Sequence, residues 1–460
     1  MFDVTPAGKG GGPTPFVNAF NNPTIGSLRY NTSQAGSPIF ICYGTQRVSV
    51  NLLEFWNFQG SGSSSSSSSG GKGLGSSAGK KGANQQYSVD VAFGICQGPV
   101  SFTGSSWGTG GNNRIWANGG ITNGLGTAGL NGYAGNDGQA PDPVFASSDV
   151  NQPVIGYSGT CYVTGTPMNL GSSSALPDIS FEITGFEQGT AGPGYPNDAR
   201  PDLIVGDLLT NPRYGAGFPA ANLDVAGSLA DWGDYCQAAQ LAMSLLLDTQ
   251  QPAARWLEEM TELSVAAVVW SGTLLKIIPY GDQALSANGA SWTPDLTWQY
   301  SLCDNDFLPW SADGGSGGGS GSTDPVLLTR SDPAQATNWL SIEYLDADNS
   351  YNPQIIAAFD QGTIDQYGLR TEPSIQGHEF TNPTSAAISA QLMLQRRLYV
   401  RNTYQFKLGW KYALLEPMDI VLITDATLGL NAAPVRITQI DEDENGELTI
   451  TAEEIPGVTP

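Results

Sequence analysis

Positive charge is what this 460-residue sequence has least of. Its 19 Lys and Arg stand against 43 Asp and Glu with a single His, a formal net charge of −24. A field of that sign repels phosphate and excludes nucleic-acid binding by a general electrostatic grip. Charged residues of either sign make up only 13%, against roughly 25% in ordinary proteins. Cysteine is also sparse: Cys42, Cys96, Cys161, Cys236 and Cys303 stand far apart with no CxxC pair. That spacing excludes a thiolate metal site and a dense disulfide framework, and leaves reduced, partly buried thiols as the expectation. The longest apolar run, Val265 to Trp270, falls far short of the ~20 residues a bilayer-spanning helix needs. Met1 to Pro15 lack the apolar stretch of a signal peptide, so a soluble protein made in the cytoplasm is expected.

Glycine and proline are abundant instead, at 58 and 29 residues, and polarity rests on Ser, Thr, Asn, Gln and Gly. That composition suits strands and long turns. With 40% hydrophobic residues and 11 Trp, 17 Tyr and 16 Phe there is material for cores, and the length suggests two to four domains at roughly 150 residues each. Two low-complexity runs, Gly60 to Gly82 and Gly314 to Ser322, cannot bury apolar surface and read as flexible loops inserted within domains.

Alternation with a period of two predicts strands around Pro38–Leu53, at Tyr87, Val89 and Val91, and at Ile179, Phe181 and Ile183. Helical spacing then takes over from Asn222 to Thr249, followed by a second helix over Ala253–Leu263. A hairpin is expected over Val265–Ile278 with Ser271-Gly272 as its turn. Later strands are interrupted by one helix over 383–398, capped by Asn382 with Pro383 in its first turn. The pattern predicts a mainly β chain in three parts. These are a β domain over 1–200, an α+β insert of two helices and a hairpin over 201–285, and a second β domain over 286–460.

No catalytic constellation emerges. Asp441, Asp443, Asn445 and Gly446 open like a calcium loop, but the twelfth position is Ala452 where a bidentate Glu is required, so a β-hairpin turn at Asn-Gly is the better reading. Gly75–Gly79 and Gly314–Gly318 satisfy G-x-S-x-G only within low-complexity runs, without the strand-to-helix context of a nucleophile elbow. The Lys80-Lys81 stretch lacks the glycine and hydroxyl of a phosphate loop, and His378 reads as a surface residue. Acid pairs such as Glu258/Glu259, Asp346/Asp348 and Glu453/Glu454 are expected on solvated faces, although a glycosidase pair has no sequence signature to exclude it. Trp107, Trp116, Trp292 and Trp310 lie in Gly-rich surroundings and are candidates for stacking on sugars. A cell-wall hydrolase and a carbohydrate-binding receptor protein are therefore the alternatives to a structural protein.

Several stretches carry a family resemblance. Ser33, Gly36 and Pro38–Val48, containing Tyr43, Gly44, Thr45 and Arg47, precede Asn51-Leu52. Phe93–Val100 follows, and then Pro201–Gly217, which contains Asp207, Leu208, Leu209, Asn211, Arg213, Tyr214 and Gly215. Together with Asp419–Asp425 and Leu428–Ile437, they resemble the tail-tip or baseplate hub family of tailed bacteriophages and gene transfer agents. Mechanically, Asp207–Tyr214 reads as a helix end and its stop.

The resemblance implies a homotrimer in which each subunit contributes two tail-tube-like β-barrel or sandwich domains, giving a pseudo-sixfold ring that matches a sixfold tail tube. Such a ring closes the DNA channel and conducts DNA at ejection. It contacts the tail tube or distal tail protein and other baseplate and fibre proteins, lets DNA pass without specific binding, and inserts in no membrane. It uses no cofactor, has no catalytic residue and resides in the virion after assembly in the host cytoplasm. Larger hubs continue into receptor-binding modules, so host recognition is expected from other proteins. The Ser/Gly runs lie outside the family pattern and are candidates for a compliant plug of the pore.

Overall fold

The computed structural model describes residues 38–62, 85–102, 113–147, 155–310 and 324–457. The Ser/Gly runs beyond Gly62, Ser33, Gly36 and Trp107 lie outside the described residues. The chain divides into two compact units, and strands dominate, as expected.

The first unit holds residues 48–102 and 113–181. Its main sheet is antiparallel, in the order Asn51–Gly62, Gln85–Gln97, Thr160–Gly171 and Asn131–Tyr133. The β-branched and aromatic residues of Gln85–Gln97 explain its central place: Val89, Val91 and Phe93 are completely buried. Arg114–Ala117 pairs with Gly120–Asn123 on one side and with the first half of Ile179–Thr184 on the other. All six residues of Ile179–Thr184 are buried, so the expected polar-out alternation is absent, because both faces of this interior strand are covered.

The second unit takes residues 40–47 and everything from Glu182 onward. Here Ala253–Leu263 is helical as expected, and Ala266–Ser271 pairs with Leu274–Pro279. The turn falls one residue later than expected, at Gly272-Thr273, where Gly272 takes φ 58°. Helix Pro383–Tyr399 starts as predicted, the Asn382 side chain accepting from the Thr384 amide at 2.8 Å. It packs on a sheet ordered Asn352–Phe359, Trp339–Asp346, Ile375–Gln376.

The expected helix over 222–249 is shorter. A π-turn at Val225–Leu229 leads into Ala230–Ala238, and Gln240 at φ 62° ends it. The remaining apolar residues extend, and Leu246–Leu247 pairs with Ile41–Cys42. Trp232, fully buried, anchors the core here, donating from Nε1 to Ser264 Oγ at 3.1 Å.

A seven-stranded sheet completes the unit, ordered Trp298–Leu302, Ile420–Asp425, Leu430–Glu442, Leu448–Glu454, Asn402–Leu408 and Phe307–Leu308, with Leu327–Arg330 also on Asn402–Leu408. The hairpin at Asn445-Gly446 exists, but as a five-residue loop in which the Asp443 carboxylate accepts from the amides of Asn445 and Glu447, both at 2.9 Å. Only Gly446 of the dipeptide has positive φ, so this is an Asx turn and not a type I′ turn.

Candidate functional site

The motif residues build a joint. Pro201 opens helix Pro201–Thr210 with its φ preset and no amide to satisfy. Before it, the Arg200 guanidinium clamps both oxygens of Asp202 at 2.9 Å and reaches Asp234 at 2.9 Å. The helix stops at Asn211, as the residues predict. The Asn211 side chain accepts from the Arg213 amide at 3.0 Å, and Ala216 and Phe218 donate to the carbonyls of Leu208 and Leu209. Leu208 and Leu209 enter the core. Gly215 is required by close approach, since a Cβ there would lie 2.4 Å from the Leu208 carbonyl oxygen.

Asp207 faces inward from the last turn and gathers the two distant motifs. Its Oδ2 accepts from the Tyr43 and Tyr214 hydroxyls, each at 2.7 Å, and its Oδ1 accepts from Asn211 Nδ2 at 3.1 Å. Phe186 lies parallel to the Tyr214 ring, centroids 5.9 Å apart, and tilted against Tyr43 at the same distance. Burial, reinforced by the hydrogen bond to Asp207, pushes both phenols well up, so they remain donors throughout the accessible pH range. Burial and the charges of Asp207 and Asp202 raise Glu187 beside them.

The rest of the first motif enters a second network. Gly44 takes φ 67°, donates to the Phe186 carbonyl at 2.8 Å and accepts from the Gly185 amide at 2.7 Å. The Thr45 amide donates to Ser244 Oγ at 3.2 Å, and Gln46 Nε2 to the Ser244 carbonyl at 2.7 Å. Arg47 reaches the Ser350 carbonyl, and Tyr351 donates to Glu182 Oε1 at 3.0 Å. Beneath lies Asp198, accepting from Ser244 Oγ at 2.7 Å and Thr381 Oγ1 at 3.0 Å; burial raises its carboxyl despite these bonds. Arg213 alone among the motif residues points outward. Phe186, Asp198, Ser244, Tyr351 and Thr381 are participants that no motif announced.

Next to this network Glu379 is 5% exposed, and its Oε2 has no hydrogen-bond partner among the described residues. Burial, with the charge of Glu259 adding to it, pushes the carboxyl up to about 7 from an ordinary 4.5. The folded protein therefore keeps a proton that the unfolded chain releases. Stability is full below about pH 4.5 and drains by about 2–3 kcal/mol as the pH rises to 7. Glu379→Gln is expected to remove that slope and to exceed wild type in urea resistance at pH 8. Parallel urea midpoints for the two proteins from pH 5 to 8 would refute the assignment.

Asp207 and Asp198 are each held by several donors, whereas Thr45 Oγ1 and Glu379 Oε2 are buried without a hydrogen-bond partner among the described residues. Two cavities among the described residues, about 40 Å³ beside Tyr280 and Arg436 and about 250 Å³ beside Ile115 and Met168, include none of them. The sugar-stacking expectation is overturned at two tryptophans. Trp116 and Trp292 are 5% and 4% exposed, and Trp292 is spent on Asp231 Oδ2 at 2.9 Å and the edge of Tyr235. Trp310 is half-buried and donates to the Pro325 carbonyl. His378 is half-exposed, 2.9 Å from Glu343.

Residues 252–440 match the model of a family described as putative phage tail protein. The fold is similar to that of a chain in the virion of a native gene transfer agent particle, with TM-score 0.58 and 16% identity over 96% of this chain and 90% of that chain. Two looser likenesses carry no argument. The 43 kDa tail protein of prophage MuSo2 from Shewanella oneidensis aligns at 14% identity over 75% of this chain and 99% of that one, TM-score 0.33. Prophage tail protein gp18 from Listeria monocytogenes aligns at 12% over 80% and 84%, TM-score 0.28. No functionally curated protein matches. The resemblance to tail proteins read from the sequence agrees with this match over residues 252–440 and with the likeness of fold.

Proposed function

We propose that this chain is the structural hub at the distal end of a phage tail. Three copies close into a ring that adapts a sixfold tail tube to the baseplate or tip, shuts the DNA channel and conducts DNA during ejection. The observation that carries this reading is the fold's likeness, over 96% of the chain, to a component of a gene transfer agent virion. The motif residues support it from another side: they lock a helix to an incoming strand, a structural task, and the proposal has the chain act without enzymatic activity or cofactor. A surplus of 24 negative charges suits a bore that must not retain DNA. The partners are then the tail tube or distal tail protein outward from the ring and the baseplate and fibre proteins around it.

Native mass measurement of the purified chain is expected to give three times the 48.3 kDa subunit, and an image of the intact particle to place the ring on the tail axis with an acidic lumen. A chain found on the outer periphery, or a basic bore, would overturn the proposal.

A further inference from the structure

The chain's five cysteines are thiols, four of them buried and Cys303 exposed. Two are not independent. Cys96, near the end of Gln85–Gln97, and Cys161, near the start of Thr160–Gly171, are direct register partners in the antiparallel ladder of the first unit. The ladder is irregular between Gly94 and Cys96, and the pairing resumes at this pair and continues through Gln97 and Thr160. Directly opposed residues of antiparallel strands have Cα atoms about 4.5–5.5 Å apart and side chains on the same face. Disulfides span Cα separations of about 4.4–6.8 Å, so no backbone movement is needed. Both side chains are completely buried, and the neighbouring Cys161 thiol together with burial pushes the Cys96 thiol up.

We propose that Cys96 and Cys161 are a redox modification site: they remain thiols in a reducing compartment and close a cross-strand disulfide when a low-molecular-weight disulfide is the oxidant. One cysteine thiolate attacks the oxidant's S–S bond, forming a mixed disulfide and expelling one small thiolate. The second cysteine thiolate then attacks the first cysteine's sulfur and expels the other small thiol. Two protons and two electrons pass from the pair to the oxidant, which leaves as two thiols. The product staples residues 96 and 161 and constrains the unfolded chain. The inference stands apart from the tail reading and holds whether or not the ring exists.

The test uses the full chain carrying Cys303→Ser, which removes the exposed competitor while a hydroxyl can still face Asp306. Because the pair is buried, the chain is both incubated folded and refolded from urea in oxidised glutathione. The expected result is a mass loss of about 2 Da with no retained adduct, a 96–161 linked peptide on digestion, and a higher thermal midpoint that reductant reverses. Cys161→Ser and Cys96→Ala should each abolish the linked peptide. If both cysteines of the refolded, oxidised protein remain fully alkylatable, or carry only glutathione adducts, the proposal is overturned.

Discussion

Gly44→Ala is expected to cost the second unit about 4 kcal/mol, the largest single-residue effect in the motif. The residue sits at φ 67°, and an added Cβ would lie 2.3 Å from Ser244 Oγ and 3.1 Å from the Asn197 carbonyl oxygen. The left-handed conformation alone costs a non-glycine residue about 1–2 kcal/mol. The steric part is worse, because the Ser244 hydroxyl cannot move aside without releasing both the Thr45 amide and Asp198. Asp198 is a buried carboxyl already raised by its surroundings, and losing a donor there adds about 1–3 kcal/mol. Urea unfolding followed by tryptophan fluorescence should show a clear fall in midpoint. Ser244→Ala alone should recover only the hydrogen-bond part, so equal losses in the two variants would show that Gly44 is not constrained as described.

Asp207→Ala is expected to cost about 3 kcal/mol, because it strands a fully buried phenol at Tyr43 and leaves the Tyr214 hydroxyl and the Asn211 side-chain amide without their acceptor. Tyr43→Phe should cost about 1 kcal/mol, since the carboxylate keeps its two other donors. In a double-mutant cycle, Tyr43→Phe and Tyr214→Phe should couple, as they share one oxygen atom. Strict additivity would mean that the two phenols act on separate partners and would refute the joint.

The local devices of this fold were legible. Pro383 after Asn382 fixed the start of one helix, Ser271-Gly272 marked a tight hairpin to within one residue, and Asn211-Pro212 with Gly215 stopped the motif helix, because each acts through neighbours in the chain. What joins distant segments was not. Tyr43 and Asp207 stand 164 residues apart, and nothing in either stretch names the other; only the resemblance placed both in one family's pattern. The helical stripe from Asn222 to Thr249 misled because Leu241, Met243 and Leu245 are buried as extended chain, where burial on all sides gives no period to distinguish strand from helix. The tryptophans misled for a related reason: glycine-rich surroundings suggest exposure, yet Trp292 lies over Gly281, whose missing side chain makes room for the indole.

The placing of residues 40–47 in the second unit has a consequence for biosynthesis. Thr45 accepts a hydrogen bond from Tyr351, 306 residues further along. At a ribosomal speed of about 5–20 residues per second, the segment bearing Ile41, Cys42 and Tyr43 emerges tens of seconds before the partners it will be sealed against. Nascent chains of this protein thus carry an early, sticky apolar stretch that waits for Asp207 and Leu245–Leu247 to be made before it can be covered.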